Sequence, residues 1–226
     1  MNEVVKDKRH EIDTACASCF YTLNKYVGRV KAYQTEQDKI NRTYNQEIAG
    51  GEIDRIASNL RTEAEKFYTE VESYLSTIKN AALEMENLFD TGDNLQGALS
   101  VVKTLGDKAP SYTRFRLVNE FKGQKQALLI LQAAFEASGI DPKPYFKGRI
   151  LDVETSIQGL QEEAYGMIIP PYGSGSIMAA ADFAAHLERF VDALGVDLAK
   201  KFQDITDISG AYMDRLRASA GLPPLN

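Results

Sequence analysis

Two cysteines stand three residues apart in Cys16-Ala17-Ser18-Cys19. That spacing lowers a thiol pKa in disulfide-exchange proteins and supplies half of the ligands in many zinc sites. A redox pair opens a helix after a strand, whereas this one falls at consecutive positions of a heptad pattern, where cysteine serves as a small apolar residue. Buried, reduced thiols are therefore expected. A four-ligand Cys/His zinc site would need both cysteines and both histidines of the chain, His10 and His186. His10 precedes Cys16 by six residues, about 240° around a helix, and so points away from the cysteine face.

Other catalytic constellations are incomplete. His10-Glu11 does not open a metalloprotease motif, because Thr14 stands where the second histidine belongs, and no Glu-x-x-His pair is present to build a di-iron bundle. Asp182 and His186, four apart, are placed for an i,i+4 hydrogen bond, a structural pair in the absence of a nearby nucleophile. Gly173-Ser174-Gly175-Ser176 resembles an anion cradle ahead of a helix, yet it lacks the P-loop lysine and follows two prolines instead of a strand. A joint with Ser174 or Ser176 as N-cap fits better. The sequence thus predicts no catalytic, metal or cofactor-binding residues and no cofactor.

Charge is more informative. The net charge is −6, which argues against nucleic acid as a partner, since such binding relies on basic surfaces. Eight basic residues oppose seven acidic ones in 1–50, four oppose nine in 51–90, nine oppose five in 91–150, and five oppose eleven in 151–226. The basic middle contains Arg114, Lys122 and Lys125 on one helix, with Lys143, Lys147 and Arg149 soon after. These are expected to lie against the acidic segments of the same chain, or else to form a docking patch for an acidic partner. Gln37, a polar residue in an otherwise apolar seam, is a candidate for setting register or partner number.

The elements that must position these residues read as helices. From Ile12, strict 4,3 spacing gives Cys16, Cys19, Leu23, Tyr26, Val30, Tyr33, Gln37, Ile40 and Tyr44, a coiled-coil signature. A second seam in a new phase runs from Ile53 and Ile56 through Leu60, Ala64, Phe67, Val71, Tyr74, Ile78, Ala81 and Met85 to Leu88. The break falls at Gly50-Gly51, which is expected to reverse the chain into a helical hairpin and to bring Ile40 beside Leu60 and Val30 beside Phe67 or Val71. The seam aromatics are read as core or interface residues.

Beyond residue 90 shorter helices are expected: one over 94–105, one from a Ser111 N-cap to Ser138 before Gly139 with Leu117, Phe121, Leu128, Leu131 and Phe135 on one side, and one after Asp141-Pro142-Lys143-Pro144 that carries Phe146, Ile150, Val153, Ile157, Leu160, Ala164 and Met167. Pro170-Pro171 should end it. An alanine-rich helix with Phe183, Leu187, Phe190 and Leu194 follows, then a last one with Leu198, Phe202, Ile205, Tyr212 and Leu216. The fold class is all-α, a long antiparallel coiled-coil-like hairpin over 1–90 followed by a smaller helical bundle over 91–226.

At 226 residues the chain can bury a core without staples. The N-terminus has no apolar leader and no apolar run is long enough to span a bilayer, so a cytoplasmic protein with no membrane partner is expected. Three classes of function are compatible with this. The first is a non-enzymatic structural or assembly protein that self-associates through heptad helices, scaffold-like by analogy with phage and other assemblies. The others are an adaptor or chaperone holding another protein, and an enzyme with an unrecognised helical site.

Overall fold

The structure, a computed structural model, describes residues 3–87, 93–169, 175–199 and 202. It is all-α, and the described residues contain no strand. The helices are α1 (Glu3–Thr43), α2 (Gln46–Asn87), α3 (Asp93–Leu105), α4 (Ser111–Glu120), α5 (Lys125–Ala137), α6 (Lys143–Phe146), α7 (Val153–Ile168) and α8 (Gly175–Ala193). The chain forms two compact units, each discontinuous in sequence. One draws its described residues from 1–15, 76–157 and 189–198, the other from 16–75, 158–188 and 199–226. Both take parts of α1, α2, α7 and α8, so neither follows the 1–90 and 91–226 segments.

The long helices α1 and α2 have 41 and 42 residues and pack as an antiparallel pair. The seam of α1 is buried from Ile12 through Cys16, Cys19, Leu23 and Tyr26 to Val30. Burial is wider than the seam, however, because Ala15, Phe20 and Val27 are buried too. Three buried positions per heptad make a bundle helix that faces more than one neighbour, whereas two would make the narrower stripe of a two-stranded coiled coil. In the second unit those neighbours are visible: Tyr26 meets Phe67 of α2 with ring centroids 5.9 Å apart, and its hydroxyl donates to the Met167 carbonyl of α7 at 3.0 Å. Phe20 packs on Phe202 at 5.2 Å.

The hairpin turn lies earlier than the glycine pair. Helix α1 ends at Thr43, and Asn45 starts α2 by accepting the Ile48 N–H on its Oδ1 at 3.1 Å. Asparagine at an N-cap satisfies a donor that the helix cannot. Gly50 and Gly51 are exposed inside α2. Each glycine costs the helix roughly 1 kcal/mol relative to alanine, too little to end an element held by packing further along. The register shifts accordingly. Ile40 clusters with Ala49 and Ile56, and Phe67 meets Tyr26, one turn before Val30. Arg29 and Glu63, which lie equally far from Gln46, are joined by a two-point ion pair whose Nη2–Oε1 arm is 2.9 Å.

In the first unit the helix expected over Ser111–Ser138 is two helices. Pro110, not Ser111, occupies the N-cap of α4, and the chain turns at 121–124 before α5. Gly123 makes the turn at φ +81°, and a Cβ there would stand 2.7 Å from the Leu194 carbonyl oxygen and 2.5 Å from Met85 Cε. Two reversals thus touch, since Gly195 follows Leu194 at φ +77°. The Arg9 guanidinium fills the remaining space, donating to the Lys122 carbonyl at 2.8 Å. A Cβ on Gly195 would come within 2.5 Å of Arg9 Nη2.

The other boundaries have similar local causes. Gly139 closes α5 in a Schellman motif, with Ile140 N–H bonded to the Phe135 carbonyl at 2.9 Å. The helix expected to follow Pro142 without a break is instead short α6 and then α7, which begins where Asp152 accepts the Thr155 N–H at 3.1 Å. Pro170-Pro171, Ser174, the Ser176 side chain and most of the expected last helix lie outside the described residues. Leu198 and Phe202 are described and are not helical.

These observations predict opposite outcomes at three glycines. Gly50→Ala and Gly51→Ala should each raise stability by about 0.5–1 kcal/mol, because no atom stands within 4 Å of either added Cβ. Gly123→Ala should lower it by about 3 kcal/mol through left-handed strain and overlap. Asn45→Ala should cost about 1 kcal/mol. Urea unfolding of the four variants checks the set, and a loss of stability at Gly50 or Gly51 would contradict a turn at Tyr44-Asn45.

Candidate interaction surface

The residues with the most chemical potential in the sequence are structurally absorbed. Cys16 and Cys19 are fully buried on α1 and not disulfide-bonded. Burial pushes the Cys19 thiol up to about 12, so the thiolate that redox chemistry or metal binding needs is disfavoured. His10 is exposed on α1. His186 does not use Asp182: its Nδ1 lies 2.8 Å from each carboxylate oxygen of Glu163 on α7, a cross-helix pair that sequence spacing could not anticipate. Among the described residues no group of three or more His, Cys, Asp or Glu side chains is placed to hold a metal.

The basic middle separates into bound and unbound cations. Lys122 ion-pairs with Asp192 of α8 at 3.1 Å, and Lys125 with Glu86 of α2 at 2.6 Å. The Glu86 hydrogen bond holds the Lys125 ammonium above its usual pKa. That pair is therefore intact at neutral pH and is lost as pH rises above the ordinary lysine range. Arg114 donates to the Asp107 carbonyl at 2.6 Å and to the Tyr145 hydroxyl at 3.2 Å. Hydrogen bonding to Ser111, then to Arg114, lowers the Tyr145 phenol pKa. Arg149 is hydrogen-bonded to Asn119. Gln37 is half-buried on α1, near neither group of lysines in sequence.

Lys143 and Lys147 differ. Both are exposed, and neither ion-pairs with a described residue. With Pro142, Phe146 and Ile150, and with Gln132 from α5, they line an open recess of about 480 Å³ whose floor is apolar. The adjoining face of α5 extends it. Leu129, one turn before Gln132, is 42% exposed and Ile130 is 37% exposed, with Ala133 open beside them. From Gln126 to Phe135 α5 carries no charge at all. The inner side of the same helix, with Leu128, Leu131 and Phe135, is fully buried. Sequence reasoning found that inner stripe. The run Ala127-Leu128-Leu129-Ile130-Leu131 also held the signal for a second apolar side, because five successive apolar residues must point all round a helix.

Comparison with protein-family models, with curated proteins and with solved structures finds no match for the chain.

Burial of both thiols predicts that neither Cys16 nor Cys19 reacts with an aromatic disulfide reagent in the native protein, while both react once it is unfolded. Cys19→Ser should destabilise by about 1–3 kcal/mol by placing a hydroxyl at a fully buried site. Rapid titration of either thiol in the folded state, or stoichiometric zinc by elemental analysis, would contradict this.

Proposed function

We propose that the protein is a non-enzymatic structural or assembly protein that self-associates. The observation that carries this reading is the uncharged outer face of α5, where Leu129 and Ile130 are exposed beside an apolar recess. Contiguous apolar surface with few charges marks protein contact sites, and depletion of charge characterises interface centres. The α1 seam, by contrast, is largely consumed inside the chain, so association is assigned to the outer surface of the shorter helices. No helix among the described residues is long and apolar enough to cross a membrane.

Sedimentation equilibrium tests the reading. The wild-type protein is expected to populate species larger than a monomer at micromolar concentration, where association contributes roughly −8 kcal/mol. Leu129→Glu with Ile130→Glu should weaken it at least tenfold without unfolding the chain, since both positions are exposed. A wild-type protein that stays monomeric up to about millimolar concentration, near −4 kcal/mol, would overturn the proposal.

A further inference from the structure

The recess of the first unit combines an apolar floor, from Pro142, Phe146 and Ile150, with Lys143 and Lys147, which ion-pair with no described residue. The second unit exposes the complementary combination. Tyr165 of α7 is 53% exposed and meets Tyr68 of α2 edge-on, with centroids 5.5 Å apart and planes at 83°. Glu162 lies one turn before Tyr165 on α7, and Glu72 one turn after Tyr68 on α2. Both glutamates are exposed, and neither has a cationic partner among the described residues. Glu162 accepts a hydrogen bond from the Gln158 amide at 3.0 Å, which leaves its second oxygen available.

We infer that the recess of one molecule receives the Tyr165–Tyr68 ledge of a second copy, with Lys143 and Lys147 facing Glu162 and Glu72. This deepens the proposed self-association and rests on it. Tyrosine is favoured at such contacts because it brings large apolar area on a stiff side chain, with a hydroxyl that can stay at the wet rim. The Tyr165 ring supplies the apolar insert. The two opposite charge pairs orient it and speed encounter without having to be buried. Because recess and ledge are different surfaces, a molecule paired through one of them keeps the other free. Head-to-tail contacts of this kind propagate as a ring or a chain, whereas reciprocal use of both surfaces by two copies closes a two-fold dimer.

Charge reversal in two separate variants tests the pairing. Lys143→Glu with Lys147→Glu makes both surfaces acidic, and Glu72→Lys with Glu162→Lys makes both basic. All four positions are exposed, and circular dichroism is the check that each variant folds; Tyr165→Ala serves as a charge-neutral third variant. By sedimentation velocity, each charge variant alone and Tyr165→Ala should lose association by at least tenfold. An equimolar mixture of the two charge variants should regain it, because every recess then meets an oppositely charged ledge. Undiminished association of either charge variant, or failure of the mixture to recover it, overturns this pairing while leaving self-association standing. A monomeric wild-type protein removes both.

Discussion

An apolar face too wide for one neighbour is the constraint on which the structure depends. Along α1, Ile12, Cys16, Cys19, Leu23, Tyr26 and Val30 are joined in burial by Ala15, Phe20 and Val27. A single antiparallel partner covers only a narrow stripe, so α2 alone leaves part of this face in water. The deficit is met in the second unit by the Met167 end of α7, which receives the Tyr26 hydroxyl, and by Phe202 against Phe20. Each fully buried large side chain contributes about 1.5–3 kcal/mol relative to exposure, so the additional neighbours are energetically necessary and not decorative.

Polar groups are placed to serve this packing. Thr22, buried on α1, gives its hydroxyl to Glu70 at 3.0 Å instead of leaving it unsatisfied. The Lys8 ammonium joins Glu84 at 2.8 Å and Glu11 at 3.0 Å. Its pKa is raised chiefly by the Glu84 hydrogen bond, so it remains a cation across neutral pH. Arg9 is different: burial lowers its pKa, and the Lys122 carbonyl is one of the groups that compensate for lost water. The basic residues of the middle segment thus have unequal tasks. Lys122 and Lys125 tie elements of their own unit together, whereas Lys143 and Lys147 face outward.

The helical class and most buried positions were legible from period alone, as the seams through Ile12–Val30 and Leu60–Met85 illustrate. Boundaries were less so, for reasons that particular residues make plain. Gly50-Gly51 looked like a turn because glycine permits one, but Asn45 supplied a hydrogen bond that starts a helix five residues earlier. Gly123 looked compatible with a continuous helix, and only the approach of Leu194, distant in sequence, makes its missing side chain obligatory. The partner of His186 was misplaced for the same reason, since Glu163 comes from another helix. The exposed side of α5 was overlooked because a search for one apolar stripe stops once Leu128, Leu131 and Phe135 have provided it.

The interleaving of the two units has a consequence for how the molecule comes into being. Each unit needs chain from before residue 16, or just after it, and again from beyond residue 157, so no single cut releases either one whole. During synthesis the hairpin emerges first but cannot be completed locally: the second unit waits for α7 and α8, and the first for the stretch that begins at Arg189. Until then the wide apolar face of α1 is only partly covered, and a nascent chain with exposed hydrophobic surface is prone to aggregate or to engage chaperones. The two units are thereby bound to a common completion time, set by the arrival of the last third of the chain.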